Sequence, residues 1–97
     1  FGPDPQSSAS VARLVETLAE GYDLANAWEM APGEHPPEAN LLKLNSDLAQ
    51  TTIGWRSRLD LAQTLNWTSD WYAALRNGED MRVFTLAQIA AYEEILA

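Results

Sequence analysis

Cysteine is absent from this 97-residue sequence, and histidine and lysine occur once each, as His35 and Lys43. Without cysteine the chain can form neither a disulfide bond nor a thiolate zinc site, and it has no thiol nucleophile. His35 is flanked by Glu34 and Glu38, but a single imidazole beside prolines cannot reproduce the spacing of helical metal-binding motifs. We therefore expect no bound metal ion.

Basic residues are also scarce, and this scarcity limits the possible partners. Six basic residues face fourteen acidic ones, which gives a net charge of −8. Nucleic-acid binding requires clustered lysine and arginine, and an anionic membrane surface would repel a chain of this charge. No apolar run reaches the length of a membrane span, and the first residues do not resemble a signal peptide. The sequence therefore predicts a cytoplasmic protein that binds neither nucleic acid nor membrane.

Glycine-rich segments are absent as well. The five glycines are scattered singly along the chain, at positions 2, 21, 33, 54 and 78. A loop that cradles phosphate groups needs several glycines close together, so that backbone N–H groups can approach the anion. A nucleotide bound by this chain would need another part of the protein to hold its phosphates.

What the sequence does contain is hydrophobic periodicity that predicts four helices. The first carries apolar residues from Val11 to Ala19 and ends near Gly21. Ser46 is expected to cap a second, short helix that ends at Gly54, after which Trp55 would fold back over the helix end. Asp60 opens the third and longest helix. These signals place most of the chain in helices.

The third and fourth helices carry capping signals of their own. Gln63 follows Asp60 at the spacing of a capping box, and Leu61, Leu65, Thr68, Tyr72 and Leu75 would share one face of the third helix. Asn77-Gly78 is expected to end it. Thr85 and Gln88 have the spacing of a second capping box and predict the start of the fourth helix.

Two short strands are predicted between these helices. Ala27–Met30 alternates in polarity, and Asn40–Leu44 is a short, mostly apolar run. The segment Pro32–Glu38 contains three prolines, which exclude a helix and fix an extended loop. The predicted fold class is therefore α+β and mostly helical, with about four helices and two short strands in a single domain.

Four tryptophans are many for this length, and two interpretations of them compete. They are either core aromatics of a small domain or an interface stripe on a helix that binds a partner. We expect Trp55 and Trp71 to lie in the core. Trp67 is expected to be buried against a surface outside these residues.

Several segments in order along the chain resemble a known family. They are His35–Asn45, Ile53–Leu59 with its Gly-Trp turn, Trp71-Tyr72 and Asn77–Arg82. The order resembles the C-terminal part of the nucleotide-sugar dehydratases and epimerases of the extended short-chain dehydrogenase/reductase family. Within that family, the opening Phe1-Gly2-Pro3 and the Asn77–Arg82 stretch are most similar to the CDP-glucose 4,6-dehydratases.

The sequence departs from the family pattern at some positions. Asn45 stands where the family usually has Asp, and Leu48 stands where it often has Lys. Both positions belong to the junction between the second predicted strand and the second helix. The polar contacts of that junction are therefore expected to differ from those of the family.

The resemblance implies a function for the whole enzyme rather than for this chain alone. Such an enzyme would bind NAD on a Rossmann domain upstream, oxidise C4 of CDP-glucose, eliminate water across C5 and C6, and return the hydride to C6. The chain contains neither the glycine fingerprint nor the Tyr-x-x-x-Lys pair of that machinery. We therefore expect residues 1–97 to be a C-terminal substrate-binding fragment without bound cofactor, catalytic residues or activity of its own.

By position in the resemblance, the proline-rich loop would face the nucleotide sugar, through His35, Glu38 and Asn40. The alternative is a solvent-facing connector between the two predicted strands. A second hypothesis for the whole chain is a stand-alone acidic helical module that binds another protein through its long Trp-bearing helix. Homo-oligomerisation is compatible with either hypothesis.

Overall fold

The computed structural model describes residues 1–22, 25–34 and 43–97, and this part of the chain contains four α-helices and no strand. The helices are α1 (Val11–Glu20), α2 (Asp47–Ile53), α3 (Leu61–Arg76) and α4 (Met81–Leu96), with a 3-10 turn at Pro5–Ser7. The chain divides into two compact units, Phe1–Ser57 with α1 and α2, and Arg58–Ala97 with α3 and α4. The prediction of a mostly helical chain is confirmed.

The predicted strands are wrong where the structure describes them. Ala27–Met30 belongs to no regular element and is exposed throughout. Alternating polarity yields a strand only when a second strand satisfies its backbone groups, and the described residues offer none. Of the second predicted strand, residues 40–42 lie outside the described residues, and Lys43 and Leu44 are not in a strand.

α1 forms where the apolar spacing predicts it. The Ser10 hydroxyl accepts a hydrogen bond from the backbone N–H of Arg13 at 3.2 Å and so caps the first turn. Leu14 and Leu18 are partly buried, and Ala19 on the same stripe is buried. The helix turns its apolar side toward the interior of the first unit.

The short helix α2 ends as predicted but begins differently. Gly54 has a φ of 67°, a left-handed conformation that favours glycine, and the N–H of Trp55 returns to the carbonyl of Ala49 at 3.2 Å. The sequence predicts that Ser46 caps this helix, but its side chain makes no capping hydrogen bond. Its buried hydroxyl donates instead to the carbonyl of Gly2 at 3.3 Å.

This contact brings the start of the chain close to the segment before α2. A Cβ atom at Gly2 would lie 2.8 Å from the Cβ of Leu44 and 3.2 Å from the hydroxyl of Ser46, so the approach requires glycine. Phe1 packs edge-on against Trp55, with ring centroids 5.0 Å apart. Trp55, expected in the core, is partly buried.

α3 begins with the predicted capping box. The N–H of Gln63 donates to the Asp60 carboxylate at 2.8 Å, and the N–H of Asp60 donates to the Gln63 side chain at 3.0 Å. The predicted face of α3 is buried only toward the start of the helix. Leu61 is partly buried and Leu65 is buried, whereas Tyr72 is 55% exposed. Ala74, outside the predicted face, is buried as well.

α4 begins five residues earlier than the sequence analysis predicts. The Asp80 carboxylate accepts from the N–H groups of Arg82 and Val83, at 3.0 and 3.2 Å, and is the N-cap. Thr85 therefore lies inside the helix rather than at its start, and the predicted second capping box is wrong. The acidic side chain at Asp80 also suits the positive end of the helix dipole.

α3 and α4 form a helical hairpin. Gly78, with a φ of 75°, ends α3, and the N–H of Glu79 closes on the carbonyl of Ala74 at 3.1 Å. Contacts between positions 67 and 88 and between 71 and 85 show that the helices run antiparallel. None of the helices in the described ranges combines the length and apolar character needed to cross a bilayer.

Candidate functional site

The three predicted substrate-binding residues, His35, Glu38 and Asn40, lie outside the described residues. Their placement toward a ligand stays a prediction. The structure describes the first three residues of the proline-rich loop, Pro32–Glu34, and the segment Lys43–Asn45 further along the chain. These two segments are the described residues nearest in sequence to the predicted site.

The loop is entered through a left-handed glycine. Gly33 has a φ of 92°, a conformation that side chains rarely adopt, and the residues around it are exposed. Glu34 is exposed as well. The chain therefore turns at Gly33 just before the segment that carries the predicted site.

Asn45 makes two polar contacts at the start of α2. Its side-chain oxygen accepts the N–H of Asp47 at 2.8 Å, and its side-chain N–H₂ donates to the Asp47 carboxylate at 3.3 Å. An aspartate at position 45 could make the first contact but would place two carboxylates together in the second. Asn45, which departs from the family pattern, thus supplies both polar contacts of the junction.

A shallow cleft of about 350 Å³ lies in the first unit between α1 and the segment before the loop. The indole N–H of Trp28 donates to the Glu16 carboxylate across it at 3.0 Å, although Trp28 is 44% exposed. Asn26 lines the cleft and has a left-handed φ of 55°. The carboxylate of Glu16 keeps further lone pairs, so the cleft can accept hydrogen bonds from a hydroxyl group.

The second unit contains an aromatic cleft of about 330 Å³ between α3 and α4. Trp67, Trp71 and Tyr72 line it, and none of its lining residues is charged. Trp71 and Tyr72 meet at nearly a right angle, with ring centroids 5.2 Å apart and planes at 83°. The cleft is shallow, and its walls are mainly aromatic with a few polar groups.

Two hydrogen bonds hold the walls of this aromatic cleft in place. The indole N–H of Trp71 donates to the Thr85 hydroxyl at 2.9 Å, and the Gln88 side chain donates to the carbonyl of Trp67 at 2.9 Å. The sequence analysis assigned Thr85 and Gln88 to a helix cap and missed this role. Their i, i+3 spacing beside Phe84 and Tyr92 on α4 was the signal that both residues face α3.

Trp67 and Trp71 lie between α3 and α4 and are partly buried. The expectation that Trp71 lies in the core holds only in part. Within the described ranges, no group of three histidine, cysteine, aspartate or glutamate side chains could hold a metal ion. The clefts are suited to binding neutral or hydroxyl-bearing groups.

No family model and no solved structure matched this chain. Among curated proteins it is similar to a sugar-nucleotide dehydratase. That relative is the CDP-glucose 4,6-dehydratase of Salmonella typhimurium, 30% identical over 92 residues, which are 95% of this chain and 26% of the relative.

The match confirms the predicted resemblance. The chain is distantly homologous to a part of a CDP-glucose 4,6-dehydratase, and it spans about a quarter of the length of that relative. The aligned stretch includes both units, since 92 of the 97 residues are covered.

Proposed function

We propose that the 97 residues form a substrate-binding region of a nucleotide-sugar dehydratase related to CDP-glucose 4,6-dehydratase. The observation that carries this proposal is the 30% identity along 95% of the chain. An enzyme of this kind would be cytoplasmic and would use NAD, held by a Rossmann domain outside these residues. The chain itself would hold no cofactor and supply no catalytic residue.

In this proposal the proline-rich loop binds the nucleotide sugar. The Glu38 carboxylate accepts hydrogen bonds from sugar or ribose hydroxyls, and the Asn40 amide can both donate and accept. His35 supplies the one imidazole of the chain at the same loop. Pro36 and Pro37 have fixed φ angles, so little conformational entropy is lost when the loop binds.

The diphosphate of the substrate is assigned to the rest of the enzyme. The chain has a net charge of −8 and no glycine-rich loop, so it offers the phosphates little attraction. The division of labour is therefore one in which this chain contacts neutral hydroxyl-bearing rings and another domain contacts the charged groups.

A double replacement of Glu38 and Asn40 by alanine tests the loop assignment. In the polypeptide that carries this chain, we expect the affinity for CDP-glucose to fall about tenfold or more, since two hydrogen-bonding side chains are lost. The melting temperature of the 97-residue chain should stay nearly constant. Isothermal titration calorimetry and thermal denaturation measure the two quantities.

A matched control replaces Glu94 and Asn66, both exposed and both outside the loop, by alanine and removes the same two side-chain types. This control should leave the affinity unchanged. Equal affinities for the control and the loop variant would refute the loop assignment. The 97-residue chain alone, given NAD, should convert no CDP-glucose, and measurable conversion would contradict a chain without catalytic residues.

The second hypothesis, an acidic helical module that binds a protein through α3, is a weaker candidate. The indole of Trp71 is engaged with Thr85, and Trp67 is partly buried, so these two side chains are not free for a protein partner. This observation weighs against the protein-binding hypothesis. CDP-glucose binding that depends on the loop residues would separate the two hypotheses.

A further inference from the structure

α4 carries an apolar stripe that its contact with α3 leaves exposed. Leu86 and Ile89 are 54% and 50% exposed, and Leu96 on the same stripe is 51% exposed. The stripe lies about a quarter turn around the helix from Thr85 and Gln88, the two residues that bond to α3. A second neighbour can therefore reach these side chains without disturbing the hairpin.

Two charged residues lie on this stripe, one on each side of its centre. The intervals along the stripe are four, three and four residues, the spacing of a helix–helix seam, and its members are Arg82, Leu86, Ile89 and Glu93. Arg82 and Glu93 are both exposed. Because they lie roughly 16 Å apart along the axis, they cannot pair with each other within one helix. The stripe therefore has a positive end and a negative end.

The order of these charges is unfavourable for α4 itself. Arg82 lies in the first turn, near the positive end of the helix dipole, and Glu93 lies in the last turn, near the negative end. The antiparallel helix α3 offsets part of this cost, but the stripe faces away from it. A second antiparallel helix that covered the stripe would bring each charge next to a helix end of opposite sign.

A second copy of α4 meets these requirements. A two-fold axis midway between positions 86 and 89 places Leu86 of each copy opposite Ile89 of the other. The same axis places Arg82 of each copy opposite Glu93 of the other, so two ion pairs flank an apolar centre. In a parallel pair of helices each charge would instead face its own kind. The stripe is therefore self-complementary in the antiparallel direction.

We propose that the α4 stripe is a self-association surface, on which a second copy of this chain packs antiparallel through Leu86 and Ile89. One pair of sixteen-residue helices buries less than the roughly 1,200 Å² of a standard interface, and the charge of −8 on each copy opposes association. We therefore expect a weak dimer, with a dissociation constant on the order of 100 μM at about 0.15 M salt. The proposal does not depend on the dehydratase function.

Charge exchange on the stripe tests the proposal. Sedimentation equilibrium of the 97-residue chain, at about 0.02 to 1 mM, measures the dissociation constant of the dimer. R82E places like charges at both ends of the interface, and so does E93R, so we expect either variant to weaken dimerisation roughly five- to thirtyfold. The double variant R82E/E93R restores both pairs and should return to within about threefold of the unmodified chain.

Two controls keep this result specific. E94R changes the net charge by the same amount as E93R, but position 94 lies about 100° around the helix from position 93 and off the stripe. It should dimerise at least as tightly as the unmodified chain, because the net negative charge is lower. R82E and E93R both suit the helix dipole, so the variants should stay folded, and circular dichroism verifies this.

Three results would overturn the proposal. They are a chain that stays monomeric at about 1 mM, equal weakening by E93R and E94R, and no recovery in the double variant. A monomeric chain would mean that the stripe has another occupant, such as a part of the longer polypeptide outside these residues. The dehydratase proposal is tested separately, since its experiment reads CDP-glucose affinity through Glu38 and Asn40.

Discussion

Asn45 takes the capping role that the sequence predicts for Ser46. Serine is a frequent N-cap residue, yet here the buried Ser46 hydroxyl donates to Gly2, forty-four positions earlier in the chain. Asn45 satisfies the first turn of α2 instead, through the N–H of Asp47. A local pattern indicated that the helix starts here, but which side chain caps it depends on a segment that is distant in sequence.

The replacement of Trp55 by alanine measures how much the ring contact between Phe1 and Trp55 contributes to stability. A fully buried tryptophan would cost roughly 3–5 kcal/mol, but Trp55 is partly buried and its partner Phe1 is 76% exposed. We therefore expect a loss of about 1.5–3 kcal/mol in the free energy of unfolding, measured by urea denaturation.

Two further variants support the interpretation of that result. Phe1→Ala removes only the edge-on ring contact and should cost less than about 1.5 kcal/mol. Trp28→Phe, at an exposed indole, is the control and should cost less than about 1 kcal/mol. A Trp55→Ala loss no larger than that of Trp28→Phe would mean that the Phe1 contact does not form in solution.

At the scale of elements, the helices were predictable because their signals are local. The stripe from Val11 to Ala19, the glycine after Ile53 and the capping box at Asp60 each lie within a few residues of the helix end that they specify. The strands were not predictable in the same way, because a strand depends on a partner elsewhere. The run at Ala27–Met30 has no such partner among the described residues and is exposed.

The start of α4 shows a second reason for error. Asp80 and Thr85 are both good capping residues, and sequence spacing alone favoured Thr85 because Gln88 follows it at the right distance. In the structure this spacing has a tertiary purpose, since both residues bond to α3. The same i, i+3 pattern can therefore mark either a helix start or a face that packs on a neighbour.

The capping box of α3 gives a direct stability test. Asp60→Ala removes the acceptor for Gln63 and leaves the first turn of a sixteen-residue helix uncapped. We expect a loss of about 0.5–2 kcal/mol in the free energy of unfolding, by urea denaturation followed by circular dichroism. Asp70→Ala, exposed in the middle of the same helix, should change stability by less than about 0.5 kcal/mol. Equal losses in both variants would show that the box contributes nothing.

At the scale of the whole molecule, the described residues bury little apolar surface. Ala19, Leu65 and Ala74 are the buried hydrophobic residues among them, whereas fourteen large hydrophobic side chains are at least 40% exposed. On α4 the exposed set includes Val83, at 63%. A helix that is apolar on several sides usually has neighbours on several sides. Because the described residues bury little apolar surface, the free energy of unfolding depends strongly on contributions other than the hydrophobic core.

Charge is one of these terms. Eight net negative charges on a chain of this size repel one another, and salt screens that repulsion over about 10 Å at 0.1 M. We expect the melting temperature to rise by about 2–5 °C between roughly 10 and 200 mM sodium chloride. Potassium chloride should give the same rise, because the effect is general screening. A fall in melting temperature would mean that favourable ion pairs outweigh the net repulsion.

The candidate sites differ in how far the sequence could predict them. The loop assignment depends on order along the chain, and its residues His35, Glu38 and Asn40 lie outside the described residues. For the aromatic cleft, the sequence showed only that tryptophan is abundant and did not predict a cleft. Its geometry requires the antiparallel register of α3 and α4, which brings Trp71 to Thr85 across fourteen positions, and no local pattern specifies that register.

The bond from the Trp71 indole to the Thr85 hydroxyl also sets a rate of proton exchange with solvent. This N–H is part-buried, and it is released only when α3 and α4 separate, whereas the N–H of Trp28 bonds to an exposed carboxylate. Native-state exchange reports the free energy of such an opening. In deuterium oxide the Trp71 indole proton should therefore outlast that of Trp28, and its lifetime would measure how tightly the hairpin stays closed.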